Sequence, residues 1–217
     1  MYFCTHKQIT IIMRKYFIAI LMAIPMLATA QDNTWERIEQ EPEELAITSK
    51  YLAKDAVPEV DGKVCWNTTI SAPGKSAQQI FAILHQQLEK MVKEPNQIEG
   101  SAIIVDDSQQ HKLGAIFHEW LVFKSNALTL DRTKLNFVVE VKCLDGKAEV
   151  SINRITYDYE VGRDVTHYTA EEWITDKYAV NKKHTKLYPI SAKFRRKTID
   201  RKDFIFNKFE TLLNEKQ

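Results

Sequence analysis

The 217-residue chain has little cysteine, almost no net charge and a single long apolar run. Its three cysteines are too few for a disulfide framework or, alone, a zinc site. Thirty basic and 29 acidic residues leave a formal charge of +1. A near-neutral chain lacks the electrostatic footprint expected of a nucleic-acid-binding protein. There is no nucleophile elbow, Walker loop, dinucleotide fingerprint or zinc-protease motif. The sequence therefore offers no catalytic residue, no metal ligand and no cofactor site.

The one long apolar run lies at the start. Met13-Arg14-Lys15 forms a basic n-region, Tyr16–Leu27 an apolar stretch interrupted by Pro25, and Ala28-Thr29-Ala30 a small-residue cleavage site. This is the pattern of a secretory signal over residues 1–30, with Met13 a better start than Met1. It implies Sec export to the periplasm or beyond. No cysteine at the cleavage site provides for a lipid anchor, and no later run reaches the length needed to span a membrane. Removing the first thirty of 217 residues leaves 187 and takes away Cys4, Lys7, Arg14 and Lys15, so 27 basic residues face 29 acidic ones. That length suits one domain with extensions. Residues 31–50 read as a flexible acidic leader carrying Trp35, 51–160 as the domain, and 161–217 as a helical C-terminal extension packed on it.

The domain is organised around residues 113–159. Leu113, Ala115, Phe117, Leu121 and Phe123 share one parity, interrupted by Glu119. Leu135, Phe137, Val139, Val141 and Cys143 share one parity of the next run, with Asn136, Glu140 and Lys142 on the other. Such alternation marks strands with one dry and one wet face. Asp145-Gly146 predicts a type I′ hairpin. In the partner strand Ala148, Val150 and Ile152 are apolar, and then the phase flips to Ile155, Tyr157 and Tyr159. A parity switch within one strand predicts a bulge near Asn153-Arg154. A first strand runs from Val64 to Ile70 and a short one from Ser101 to Val105. Between them Ser76 with Gln79 forms a capping box that opens an amphipathic helix on Ala77, Ile80, Leu84, Leu88 and Met91. After Gly162-Arg163-Asp164, Thr169 with Glu172 opens a short helix carrying Trp173, Ile174 and Tyr178. The basic run Lys193–Lys197 reads as a strand or linker that pairs with the acidic leader or the first turn of the last helix, the alternative being contact with an anionic surface such as lipid or polysaccharide. Asp200 reads as the cap of a last helix on Ile205, Phe206, Phe209, Leu212 and Leu213.

Strand, helix, four strands and helix make a two-layer α+β domain. A single crossover brings the first strand beside the last, which gives a five-stranded, antiparallel-rich sheet of order 1-5-4-3-2. That order separates Cys65 from Cys143 by two strand spacings, about 10 Å, beyond disulfide reach.

Residues 57–64 (Val-Pro-Glu-Val-Asp-Gly-Lys-Val), the helix after Pro73-Gly74 and the meander ending near Tyr157 resemble domain of unknown function 4468. The resemblance covers roughly Tyr51 to Tyr159. It implies an exported protein of Bacteroidota with a fold like half of the TATA-box-binding protein (TBP-like). It brings no activity, and the fold name implies no DNA binding.

Candidate site residues are the aromatic and histidine side chains of the strands: Trp66, His118, Trp120, Tyr157 and Tyr159. On an open sheet face they would hold a small ligand or a protein partner; under a second layer built by the tail they would be core. His118 and Glu119 point to opposite faces and cannot share an ion. Asp106, Asp107 and His111 read as a solvated hairpin loop rather than a cation site. The leading expectation is a non-catalytic binding module. The alternatives are an enzyme with an acid and histidine site of unrecognised form, and a structural envelope protein that self-associates through its tail.

Overall fold

A six-stranded antiparallel sheet carries the fold. The computed structural model describes residues 49–126, 128, 130–161 and 164–215; the segment read from sequence as an export signal (residues 1–30) and residues 31–48 of the expected leader lie outside the described residues. A small hairpin, β1 (Glu59–Val60) and β2 (Lys63–Val64), precedes β3 (Trp66–Ser71). Helix α1 (Ala77–Met91) crosses to β4 (Ala102–Asp107), and β5 (Lys112–Ser125), β6 (Leu130–Leu144), β7 (Lys147–Val161) and β8 (Asp164–Thr169) follow as a meander. Two short helices, α2 (Ala170–Trp173) and α3 (Asp176–Ala179), lead into the long α4 (Pro189–Asn214). The described residues all fall within one compact unit.

The strand order is β3-β7-β6-β5-β4, the 1-5-4-3-2 arrangement expected from a single crossover. β8 is additional. It folds back on the far half of β7, pairing Tyr157 with Tyr168 and Asp158 with His167, in a stretch for which the sequence predicts only a turn before the Thr169 helix. Its alternation is too polar and too short to read as a strand from sequence. β7 is long enough to serve β3 with its first half and β8 with its second.

The parity switch in β7 is a bulge. Asn136 pairs with Thr156 and Val138 with Asn153, so β7 carries one extra residue, and Arg154 takes φ +55°. This keeps Ile155, Tyr157 and Tyr159 on the same face as Ile152. The β6–β7 turn is not type I′, because of its two central residues only Gly146 has positive φ. Asp145 instead accepts the backbone N–H of Ala77 at 2.8 Å, which ties the turn to the start of α1. The type I′ signature occurs at Asp61-Gly62, both with positive φ, between β1 and β2.

Both long helices cover one face. The capping box of α1 forms as read, with Ser76 accepting from the Gln79 N–H and Gln79 reaching back to the Ser76 N–H. Ile80, Leu84, Leu88 and Met91 are fully buried. Helix α4 begins at Pro189, eleven residues before the expected cap at Asp200. Proline suits the first helical turn because its missing N–H has no partner there anyway. The basic run is therefore helical. Phe194 and Arg195 face inward, Lys193 reaches the sheet, and only Arg196 is left exposed. Asp200, in mid-helix, accepts from Lys50 and Tyr51, both at 2.8 Å.

Two buried arginines fix α4. Arg195 donates to the carbonyls of Tyr51 and Ile174 and to Asp176. Arg201 grips Glu119 of β5 through Nε and Nη2, both at 2.8 Å, and both side chains are buried. Glu119, the one break in the apolar parity of β5, is thus the counter-ion of the helix. Cys65, at the junction of β2 and β3, and Cys143 of β6 are both free, and β7 lies between β3 and β6.

Candidate functional site on the open face of the sheet

The five sequence-predicted residues divide between the two faces. Trp66, Tyr157 and Tyr159 lie on the covered face. Trp66 is 5% exposed and its indole N–H donates to the Ala56 carbonyl at 2.9 Å. Tyr157 is fully buried and hydrogen-bonds Thr198 of α4 at 2.7 Å. Tyr159 donates to Asp131 and accepts from Lys193, each at 2.8 Å, with the Lys193 ammonium also over the Phe123 ring. These three are core and interlayer residues, because the tail supplies the second layer above them. His118 and Trp120 are on the open face.

What faces outward can be read row by row from the register. Trp120, Lys134, Asp158 and His167 occupy one row across β5, β6, β7 and β8. His118, Asn136, Thr156 and Thr169 occupy the next. Beyond the apolar pair Ile116–Val138 come Gly114, Glu140, Ser151 and Asn67, and then Lys112, Lys142, Glu149 and Thr69.

The first two rows are joined by side chains. His118 Nδ1 is 2.6 Å from Asn136 Oδ1. Asn136 donates to Thr156 and to Asp158 Oδ2, both at 3.2 Å. His167 Nδ1 meets Asp158 Oδ1 at 2.8 Å. A continuous polar chain therefore crosses four strands. Burial alone would raise the Asp158 carboxyl; the bonds from His167 and Asn136 outweigh it and hold the carboxyl below its ordinary value. Beside the chain, the Arg132 guanidinium stacks on Trp120, 3.6 Å from its ring. The ring of His118 packs under Gly100, where an added Cβ would sit 3.2 Å from Cδ2.

The last two rows line a hollow of about 640 Å³. Its walls are Asn67, Thr69, Lys112, Glu140, Lys142 and Ser151, and Val105 of the edge strand closes one side. Gly114 contributes no side chain to the floor, and a Cβ there would meet Val105 at 3.1 Å. Glu140 accepts from Asn153 at 2.8 Å and from Ser151 at 3.4 Å. Lys112 and Lys142 stand directly opposite one another, a like-charge pair that costs stability. Glu149 offsets this only in part, being 4.0 Å from Lys142 and shared with Lys147.

The loop considered for a cation has other partners. Asp106 meets His85, Asp107 accepts two backbone N–H groups, and His111 meets Gln78. Among the described residues no three His, Cys, Asp or Glu side chains gather to hold a metal ion.

A family model described as a domain of unknown function (DUF4468) with TBP-like fold matches residues 66–158. The crystal structure of a DUF4468 family protein from Bacteroides ovatus is 39% identical, with a TM-score of 0.71, covering 77% of this chain and 95% of that one. The chain belongs to the DUF4468 family. A TBP-like protein from Parabacteroides distasonis, 17% identical, shares the fold at a TM-score of 0.61, over 74% of this chain and 99% of that one. No curated protein matches the sequence. The family match in this DUF4468 chain runs from β3 into β7, so it takes in the hollow and His118, Asn136 and Asp158. His167, Arg195 and Arg201 lie beyond it.

Asn136, Asp158, His167 and Arg132 were missed from sequence. Their signal was parity. Asn136, Asp158 and His167 fall on the polar side of their strands, level with His118 or Trp120 once the register is known, and Arg132 lies on the same face one row beyond, opposite Val122.

Proposed function

We propose that this protein is an exported, non-catalytic binding module that takes a small polar ligand, carrying both charges, in the hollow of its open sheet face. What carries the reading is the contrast between the faces: two helices bury one, while the other holds a concavity of about 640 Å³, within the size range of ligand sites. Opposed Lys112 and Lys142 provide for a carboxylate or phosphate, and Glu140 for an ammonium. The mixture of Glu140, Glu149 and Asp158 among the cations speaks against nucleic acid, whose binding surfaces are dominated by positive charge. Export rests on the basic, apolar and small-residue segments of residues 13–30.

The test is amide-shift NMR of residues 31–217 with free amino acids, dipeptides and phosphate sugars as probes. The expected shifts map to residues 67–69, 112–114, 140–142 and 149–151, and vanish in Ser151→Trp, which fills the hollow. Shifts confined to the helices, or none with any probe, would refute the site.

A second reading has one observation behind it. His167 Nδ1 lies 2.8 Å from Asp158 Oδ1 on an exposed side chain, and in the tautomer that donates Nδ1–H to the carboxylate Nε2 is the acceptor, the posture of a general base. A panel of chromogenic esters tests it. Turnover that His167→Ala abolishes supports an enzyme, and turnover that survives the change removes this base.

A further inference from the structure

Among the described residues nine large apolar side chains are exposed, and six of them gather at one end of the molecule: Leu128, Leu130, Val165, Tyr178, Tyr188 and Ile190. Leu128 and Leu130 lie at the β5–β6 tip, Val165 at the start of β8, and the others around the N terminus of α4. The two groups share an end of the fold. Lys193 of α4 bonds Asp131 at 2.7 Å, which sets the start of α4 against the β5–β6 tip, and Leu130, next to Asp131 in β6, projects from the other face of that same tip. Ile190 precedes Lys193 by three residues, on the same side of the helix and one turn further out. Leu128 is 97% and Ile190 71% exposed. Exposed apolar residues grouped in this way mark a contact surface.

The surrounding charge identifies the partner. The loop before α4 exposes Lys182, Lys183 and Lys186, and Lys124 and Arg132 are exposed near the β5–β6 tip. Protein interfaces are depleted in lysine. Apolar tips with tyrosines inside a lysine collar suit an anionic bilayer surface, where the tips enter the headgroup layer and the lysines meet lipid phosphates. Among the described residues no helix is long and apolar enough to cross a membrane, so this contact is peripheral. We propose that this end of the molecule docks reversibly on an anionic lipid surface, with the hollow of the open face left free.

Vesicle co-sedimentation tests this, with residues 31–217, the species left by signal removal, so that the apolar run Tyr16–Leu27 contributes nothing. Vesicles of phosphatidylcholine alone are compared with vesicles containing phosphatidylglycerol. The expected result is binding to the anionic vesicles that weakens in high salt. Lys182→Glu/Lys183→Glu/Lys186→Glu should lower it by at least a hundredfold, at roughly fivefold for each lysine lost. Leu130→Ser/Ile190→Ser should abolish it while leaving the circular dichroism unchanged. No binding to either vesicle overturns the proposal, as does binding that survives both variants. A dimer that Leu130→Ser/Ile190→Ser converts to monomer, with no vesicle binding, assigns the surface to protein contact instead.

Discussion

Replacing Arg201 with Leu tests how the C-terminal helix is held to the sheet. Glu119 is buried, and its two oxygens accept Nε and Nη2 of Arg201 at 2.8 Å each, with Gln97 donating to the same carboxylate at 2.7 Å. Glu94 approaches Arg201 at 3.5 Å. Removing the arginine strands a carboxylate in a dry site with one neutral donor. Breaking a buried pair from one side costs about 3–5 kcal/mol, against a total stability of roughly 5–15 kcal/mol. At about 2–4 °C per kcal/mol for a domain of this size, Tm should fall by roughly 6–20 °C. Arg201→Lys keeps the charge but not the fork, and should lose less. In the double variant Glu119→Leu/Arg201→Leu nothing charged is stranded, so most of the loss should return. Thermal melts and urea titrations of the four proteins measure this. A single variant losing less than about 1 kcal/mol, or a double variant no better than the single, would show that the pair does not anchor α4.

Three further tests follow from the geometry. Burial pushes the Cys143 thiol up to about 12 and raises that of Cys65, so a disulfide reagent at neutral pH should label Cys65 slowly and Cys143 only on unfolding; fast labelling of both contradicts this. The Asp158 carboxyl sits below its ordinary 3.8, so its contribution to stability is present above that pH and is lost as pH falls through the folded value. Tm of Asp158→Asn should therefore fall less steeply on acidification below about pH 4 than that of the natural chain, and equal slopes count against the chain of bonds. Deleting Arg154 alone removes the bulge and leaves Ile155 and Tyr157 facing the core, so the fold should survive. Deleting Asn153 and Arg154 together reverses the parity, turns Asp158 inward and should abolish folding, as circular dichroism would show; equal behaviour of the two deletions refutes the bulge's role.

The meander was legible because its two faces differ in chemistry. Leu113, Phe117, Phe137 and Val139 sit at period two with polar neighbours between them, and that pattern has no helical reading. The helix caps at Ser76 and Thr169 were legible because a short side chain answers an N–H three residues on, although only Ser76 completes the reciprocal box and Glu172 takes the Thr169 hydroxyl instead. The start of α4 was not. Asp200 resembles a cap, and a lysine- and arginine-rich run resembles a solvated linker. The missed cue was the helical spacing that carries the buried side of α4 backwards from Ile205 through Arg201, Thr198 and Phe194, with an unexplained Glu119 awaiting a partner. β8 was hidden because its pairing partner is a strand half that the local sequence does not advertise. Of the five candidate residues, three were aromatic because they are core. A large side chain on a strand carries the same letter whether it faces a ligand or a helix, and only the placement of the tail decides which.

Parity also separates the work of the two faces. Every side chain described on the sheet that holds α4 (Glu119, Asp131, Tyr157 and Tyr159) has the core parity of its strand. The polar chain from His118 to His167 and the walls of the hollow bond chiefly to one another. Changes to the hollow should therefore lie near the ±0.5 kcal/mol of ordinary surface substitutions. Lys112 and Lys142 sharpen the point. A like-charge pair directly opposite across two strands weakens the sheet, so replacing either lysine with Thr should leave stability unchanged or raise it. A position whose loss improves the fold contributes nothing to folding, and any cost of removing it has to appear in what the open face binds.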